Sequence, residues 1–359
     1  MKLNQQAPTR SRRDFLKATA AAAPILLGCS RKTDSKYPVL GEGEFVYEAF
    51  HDWGELPGNI KYGNTHSVVE DGQGFIYVHH TVHETSPSDH AMVVYDPDGK
   101  FVTSWGSEFA GGAHGMQVRK EGGEEFLYLC DIGRNIVVKT TLAGEEILRI
   151  GYPSESASYQ PDPSIDDGRR YDDEGNLIYS PTNLAVAPNG DIYVTDGYGT
   201  YFINHYDKDG NYIKTFGGPG SEPGQLICPH GIWLDEREDP PLLVVADRDN
   251  HRLQWFTLDG EHVKFAYGVK RPCHFDERDG VLLVPDLVAE VTLMDRQNEV
   301  ITKLGVGLAD TGERRNKSRE HFLPGKFITP HGCCYDHEGN IFITEFVEIG
   351  RVTKLRKIA

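Results

Sequence analysis

The chain has 359 residues, 38% of them hydrophobic and 25% charged, with a formal net charge of −17. That length suits one large β domain or two ordinary ones, and the composition is that of a soluble globular protein. So acidic a chain argues against nucleic acid as a partner, because the attraction to phosphate has the wrong sign.

The first predicted element stands outside the fold. Ser11-Arg12-Arg13-Asp14-Phe15-Leu16-Lys17 has the form of a twin-arginine export signal, and the apolar run Ala18 to Leu27 behind it is too short to span a bilayer. The run ends in Leu26-Leu27-Gly28-Cys29, which resembles a bacterial lipobox and predicts cleavage before Cys29 and lipidation of its thiol. Residues 1–28 therefore read as a signal peptide, 29–43 as a linker and 44–359 as the folded domain. The predicted location is the periplasmic face of the cell envelope, with membrane contact only through the lipid. Five basic groups and one acid leave with residues 1–28, so the remainder carries −21. Five cysteines follow Cys29, an odd number, and no small disulfide framework is suggested.

From Phe45 onward a repeat of roughly 45 residues is legible, the length of a four-stranded propeller blade. Each unit opens with a short apolar strand, makes a tight turn and enters a second strand of strong β character. In the third unit these are Leu184-Ala185-Val186-Ala187, the turn Pro188-Asn189-Gly190, and Asp191-Ile192-Tyr193-Val194-Thr195. The fifth has Arg278-Asp279-Gly280 before Val281-Leu282-Leu283-Val284, and the sixth has His337-Glu338-Gly339-Asn340 before Ile341-Phe342-Ile343-Thr344. Such Gly-containing turns supply the positive φ of tight hairpins. The second strands end on His79, Asp131, Asp196, Asp247, Asp286 and Glu345, a polar row expected to cap backbone amides.

Only five fourth strands follow a first strand. The missing one is Phe45-Val46-Tyr47-Glu48-Ala49-Phe50, which would join the sixth unit beside Arg351-Val352-Thr353-Lys354-Leu355 and close the ring without an open edge. The predicted fold is all-β, a six-bladed β-propeller whose sixth blade is closed by an N-terminal strand. Strand starts, second-strand ends and inter-blade loops then share one mouth. Two of those loops are long, 152–180 and 306–329, the latter with Arg314, Arg315, Lys317 and Arg319. Loops of that length in a compact domain often bind or cover a ligand.

Five segments place a histidine at one point of the repeat: Asn64-Thr65-His66, Gly112-Ala113-His114, Cys228-Pro229-His230, Pro272-Cys273-His274 and Thr329-Pro330-His331. Asn183 fills the sixth position. His114, His230 and His331 come from alternate blades, about 120° apart in a six-fold ring. Three imidazoles so placed form a facial site with open positions, suited to zinc or another divalent transition metal. His66, His274 and His80 are further candidates for metal or substrate. Cys228, Cys273, Cys333 and Cys334 lie near the ring and have thiolate-ligand potential, with burial as small apolar side chains the expected role. Tyr198 and Arg248 sit in the third and fourth loops at the mouth. A tyrosine beside a dication is a candidate base, and an arginine a candidate clamp for a carboxylate.

With those residues in hand, the chain resembles the NHL-repeat propellers and, within them, the peptidyl-α-hydroxyglycine α-amidating lyases. Ala113-His114-Gly115, Pro229-His230-Gly231 and Pro330-His331-Gly332 match that family's zinc-ligand motifs, Asp196-Gly197-Tyr198 its tyrosine segment, and Ala246-Asp247-Arg248 its arginine segment. The resemblance implies a lyase that cleaves the C–N bond of a carbinolamide, N–CH(OH)–COO⁻, to an amide and glyoxylate. The substrate would be a small molecule or a peptide C-terminus. The family's second active-site arginine falls near His79-His80, and its disulfide cysteines are replaced by Gly199, Val245 and Trp255. Its calcium-binding aspartate is Gly332 here, so calcium lacks that ligand. Two other readings compete: a non-catalytic NHL-repeat envelope protein that binds a ligand or protein through its loops, and a lactonase-type metal-dependent hydrolase. The second relies on Glu, Asn and Asp around its metal, whereas histidine dominates the axis here.

Overall fold

The computed structural model describes residues 35–161 and 169–358. The twin-arginine segment, the lipobox and Cys29 lie outside the described residues. The described chain is nearly all β and forms six antiparallel sheets, the blades of a β-propeller. The first strands of the blades are Thr65–Glu70, Ala113–Glu121, Asn183–Val186, Pro229–Asp235, Asp276–Arg278 and Pro330–Tyr335. In blades 1 to 5 the four strands follow in chain order from the first strand outward.

Blade 6 is completed from the N-terminal side as expected. Phe45–His51 pairs with Arg351–Lys357, Ala49 opposite Leu355, so the last and first parts of the chain share one sheet. One boundary needs correction. Val39–Glu42, placed in the linker from sequence, is a fifth strand that pairs outside Phe45–His51 across a turn at Gly43, with φ +60°. Its Leu40 packs on the cluster that contains Tyr47, Leu304 and Phe327, and this anchors the added strand.

The core explains why the second strands read as nearly continuous apolar runs. It is divided into wedges between neighbouring blades. Tyr128, Cys130 and Val137 of blade 2 meet Leu184, Val186 and Val194 of blade 3. Val244, Ala246 and Trp255 of blade 4 meet Phe275, Leu282 and Val284 of blade 5. Leu283, Val291 and Leu304 of blade 5 meet Cys333, Ile341 and Ile343 of blade 6. A strand inside such a stack is covered on both faces, so alternation is lost. Burying each such Leu or Val side chain is worth about 1.5–3 kcal/mol. The five described cysteines, Cys130, Cys228, Cys273, Cys333 and Cys334, are all free and buried.

Candidate metal centre and its mouth

A one-residue bulge builds the axis. In blade 1 the pairing jumps from Thr65↔His80 to Ser67↔His79, and in blade 6 from Pro330↔Glu345 to Gly332↔Thr344. Blades 2 and 4 do the same between Ala113↔Asp131 and Met116↔Leu129, and between Pro229↔Asp247 and Ile232↔Val245. The extra residues are unpaired, and they include His66, His331, His114 and His230. A bulge re-aims a side chain at the cost of local ladder bonds. Blade 3 has no bulge, since Asn183↔Thr195 runs without a shift to Val186↔Ile192, and Thr182, whose carbonyl meets His114 as Cys273 O meets His230, stands at the place read from sequence for Asn183.

Blade 5 corrects the register read from sequence. Its bridge Pro272↔Asp286 corresponds to Pro229↔Asp247 and Pro330↔Glu345, so the ring position belongs to Cys273 and not to His274. The carboxylates agree. Asp286 accepts from Lys270 N–H, Asp247 from Ile227 and Glu345 from Ile328, each three residues before Cys273, His230 and His331 respectively. His274 stands one step along the strand, where the even blades have glycine. Its Nδ1 lies 2.6 Å from the Asn183 amide nitrogen, and it lines a cavity of about 220 Å³ with Glu70, Gln117 and Trp233.

Three imidazoles are oriented by one repeated contact. Nδ1 of His114 lies 2.6 Å from the Thr182 carbonyl oxygen, that of His230 2.9 Å from Cys273 O, and that of His331 2.8 Å from His66 O. A carbonyl only accepts, so each Nδ1 carries the proton and each Nε2 presents a lone pair. The approach of the next blade's backbone explains the glycine after each histidine. A Cβ at Gly115, Gly231 or Gly332 would lie 2.5, 2.5 or 2.3 Å from Thr182 O, Cys273 O or His66 O. The family's calcium-binding aspartate therefore has no room at Gly332.

The rings form a compact cluster. Centroids are 4.9 Å apart for His114 and His230, 4.9 Å for His114 and His331, and 4.7 Å for His230 and His331. His66 joins at 4.7 Å from His114 and 4.6 Å from His331, its Nδ1 3.4 Å from His331 Nε2. Two sets of donor atoms fall within 4.8 Å of one another, His66/His114/His331 and His230/Cys273/His331. Burial pushes His114 down to about 3, and burial first, then neighbouring charges, holds His66, His230 and His331 well below the ordinary imidazole value. Neutral, buried imidazoles with committed Nδ1 protons are the donor set that a divalent metal requires.

The Tyr198 hydroxyl sits between two of the Nε2 atoms, 3.0 Å from that of His230 and 3.3 Å from that of His114. Arg248 donates to the same oxygen from 3.3 Å. Burial pushes the phenol up to about 12 while the Arg248 charge works against it, so in the protein alone the expected lowering is absent. The loop is held from below. Asp196 accepts from Ser180 N–H, Thr200 N–H and Tyr159 O–H at 2.6 to 2.7 Å, and a Cβ at Gly197 would lie 2.4 Å from Pro229 O. Arg248 opens a short 3-10 turn, Arg248–Asn250, and is buried.

Above the cluster a cavity of about 310 Å³ is lined by Tyr198, Arg248, Arg271, Arg315, His331 and Phe346 among others. Both long loops reach the site: Arg315 stacks 3.6 Å over Phe346, and Arg170 donates to the Tyr198 carbonyl at 2.8 Å. Arg271 at the mouth was missed from sequence, and Arg315 was named only as part of its loop. The polar row caps amides as expected, with one correction. Thr65 pairs with His80 as Pro330 does with Glu345, so His80, not His79, holds the row position. His80 Nδ1 accepts from Val82 N–H at 3.0 Å, a capping role, and the residue belongs to neither donor set.

No protein-family model matches the chain. It is 39% identical over 79 residues to a Caenorhabditis elegans protein named "Probable peptidyl-alpha-hydroxyglycine alpha-amidating lyase", covering 21% of this chain and 22% of that one. With peptidyl-alpha-hydroxyglycine alpha-amidating lyase 1 of Drosophila melanogaster the identity is 28% over 166 residues, 44% of this chain and 27% of the relative. The chain is similar to amidating lyases over part of its length. Human NHL repeat-containing protein 3 shares 24% over 204 residues, 55% of this chain and 53% of that protein. Among solved structures, a streptogramin B lyase superposes with a TM-score of 0.55 at 13% identity, covering 88% of this chain and 99% of that one. A gluconolactonase of Xanthomonas campestris gives 0.55 at 15%, covering 90% and 96%. At such identities these two establish the fold alone.

Proposed function

We propose that the protein is a metal-dependent carbon–nitrogen lyase that cleaves α-hydroxyglycine-type carbinolamides to an amide and glyoxylate. The observation that carries this reading is the placement of the Tyr198 hydroxyl between the unprotonated Nε2 atoms of His114 and His230, with Arg248 on the same oxygen. His114, His230 and His331, divided between the two converging sets that share His331, would hold the metal, zinc or another divalent transition ion. Bound there, it would supply Lewis acidity to a substrate oxygen.

The protein's own groups account for the rest. The mouth presents the guanidinium groups of Arg248, Arg271 and Arg315, which attract and orient a substrate carboxylate. Tyr198, a protonated phenol in the protein alone, would take the hydroxyl proton once the charge of a bound ion adds to that of Arg248 and lowers it. The O–H electron pair becomes the carbonyl of glyoxylate, the C–N pair leaves with nitrogen, and the proton on Tyr198 passes to that nitrogen to give the amide. The side chains end as they began. The His-dominated axis is the feature that favours this chemistry over a lactonase-type hydrolase or a non-catalytic scaffold.

The test is glyoxylate release from α-hydroxyhippurate together with metal content, in the wild type and in His230→Ala. The expected result is a metal-loaded, active wild type and a variant that loses both; a metal-free, inactive wild type would refute the reading. We further propose export by the twin-arginine route with a lipid on Cys29, on the strength of the motif. Cys29→Ser should then move the protein from the membrane fraction to the soluble periplasm, and an unchanged distribution would contradict it.

A further inference from the structure

We infer that Cys273 is a metal ligand of this chain, so that the axial site can take an ion on His230, Cys273 and His331 through a thiolate that a ring of imidazoles lacks. The inference rests on the metal-centre reading above and adds to it a donor and a metal preference.

Two independent observations support it. The first is register: blade 5 places Cys273, paired through Pro272↔Asp286, at the ring position that blades 1, 2, 4 and 6 give to histidine. The second is convergence: its Sγ lies within 4.8 Å of the donor atoms of both His230 and His331. The residue is fully buried, and its thiol's one hydrogen-bond partner among the described residues is Arg271 O at 3.6 Å. The backbone carbonyl of the same residue orients His230 through Nδ1. Cys273 thus sets one ligand and offers another.

The second donor set, His66/His114/His331, shares His331 with the first. His331 Nδ1 is committed to the His66 carbonyl, which leaves Nε2 alone for metal, and one lone pair serves one ion. The two sets are therefore alternatives. Borderline and soft ions favour the thiolate set, and harder ions the imidazole set. On ligation the S–H bond breaks, the sulfur pair forms the S–metal bond, and the proton goes to buffer.

The test uses the full chain stripped of metal and titrated with Co²⁺ alone, read by absorption, and with Cd²⁺ in competition. We expect a near-ultraviolet thiolate-to-cobalt charge-transfer band in the wild type, present also in Cys228→Ser and absent in Cys273→Ser. Cd²⁺ affinity should fall in Cys273→Ser by at least the roughly 10–100-fold that loss of a mere outer partner costs. Bound Co²⁺ without the band, or a band that survives Cys273→Ser, overturns the inference and leaves the imidazole centre standing. A wild type that binds no Co²⁺ sinks the metal centre itself and this inference with it. If Cys273→Ser fails to fold, the wild-type and Cys228→Ser spectra decide the matter.

Discussion

The even and odd blades use the same fold for different ends. In blades 2, 4 and 6 a histidine is followed by glycine, and the missing side chain lets the next blade's carbonyl reach the imidazole Nδ1. In blades 1, 3 and 5 the residue at the glycine position is Ser67, Asn183 or His274, and these blades supply the receiving backbone. The odd blades orient the imidazoles that blades 2, 4 and 6 present. The difference teaches that a metal-ready imidazole here is a backbone property of two adjacent blades, not of one motif.

The largest effect should come from an odd-blade hydroxyl that reaches across. Tyr198→Phe keeps the ring and its packing but removes the oxygen between His114 and His230, so glyoxylate release should fall by about 10²–10⁴-fold with metal content and melting temperature nearly unchanged. Equal activity in the variant would place the proton transfer elsewhere. Next comes the glycine. Gly231→Ala puts a Cβ 2.5 Å from Cys273 O and should cost about 1–3 kcal/mol by urea unfolding, with loss of metal affinity. At the corresponding odd position Ser67→Ala removes one buried bond, Oγ to His114 O at 2.8 Å, and should cost about 1 kcal/mol with metal affinity kept. If the two cost the same and both spare the metal, the asymmetry between blades is not functional.

Stability should also depend on pH. Seven buried histidines, His66, His79, His80, His114, His230, His274 and His331, are held below the free value by burial, His79 and His274 at about 4 and His80 and His114 at about 3. Unfolded, they take protons near pH 6.5; folded, they refuse them until far lower, so stability present above about 6.5 is lost as pH falls. Asp196, Asp276 and Asp286, raised to about 7 by burial, act in the opposite sense but are fewer. The urea midpoint of metal-free protein should therefore drop between pH 6.5 and 4, less steeply in His274→Asn. A midpoint that rises toward pH 4 would contradict this balance.

Much of this was legible in the chain. Asp-Gly and Asn-Gly turns mark the hairpins, and the shortage of one fourth strand points to the closing segment Phe45–His51. His114, His230 and His331 could be read because the turn-to-strand rhythm around them is regular. In blade 5 the histidine is a misleading marker, one residue past the ring position. The better marker was proline: Pro272 aligns with Pro229 and Pro330, which puts Cys273 in the ring. The bulge that makes the offset is a pairing feature, invisible in a single strand. Arg271 escaped, and Arg315 could be placed only in its loop, because the path of an inter-blade loop depends on tertiary packing.

The central question is which imidazoles hold an ion. The most direct measurement is the metal content of folded, dialysed protein after saturation with Zn²⁺, for the wild type, the triple variant His114→Ala/His230→Ala/His331→Ala and the odd-blade variant His274→Asn. The prediction is a single ion per chain in the wild type and in His274→Asn and none in the triple variant. An ion retained by the triple variant, or lost from His274→Asn, would contradict it.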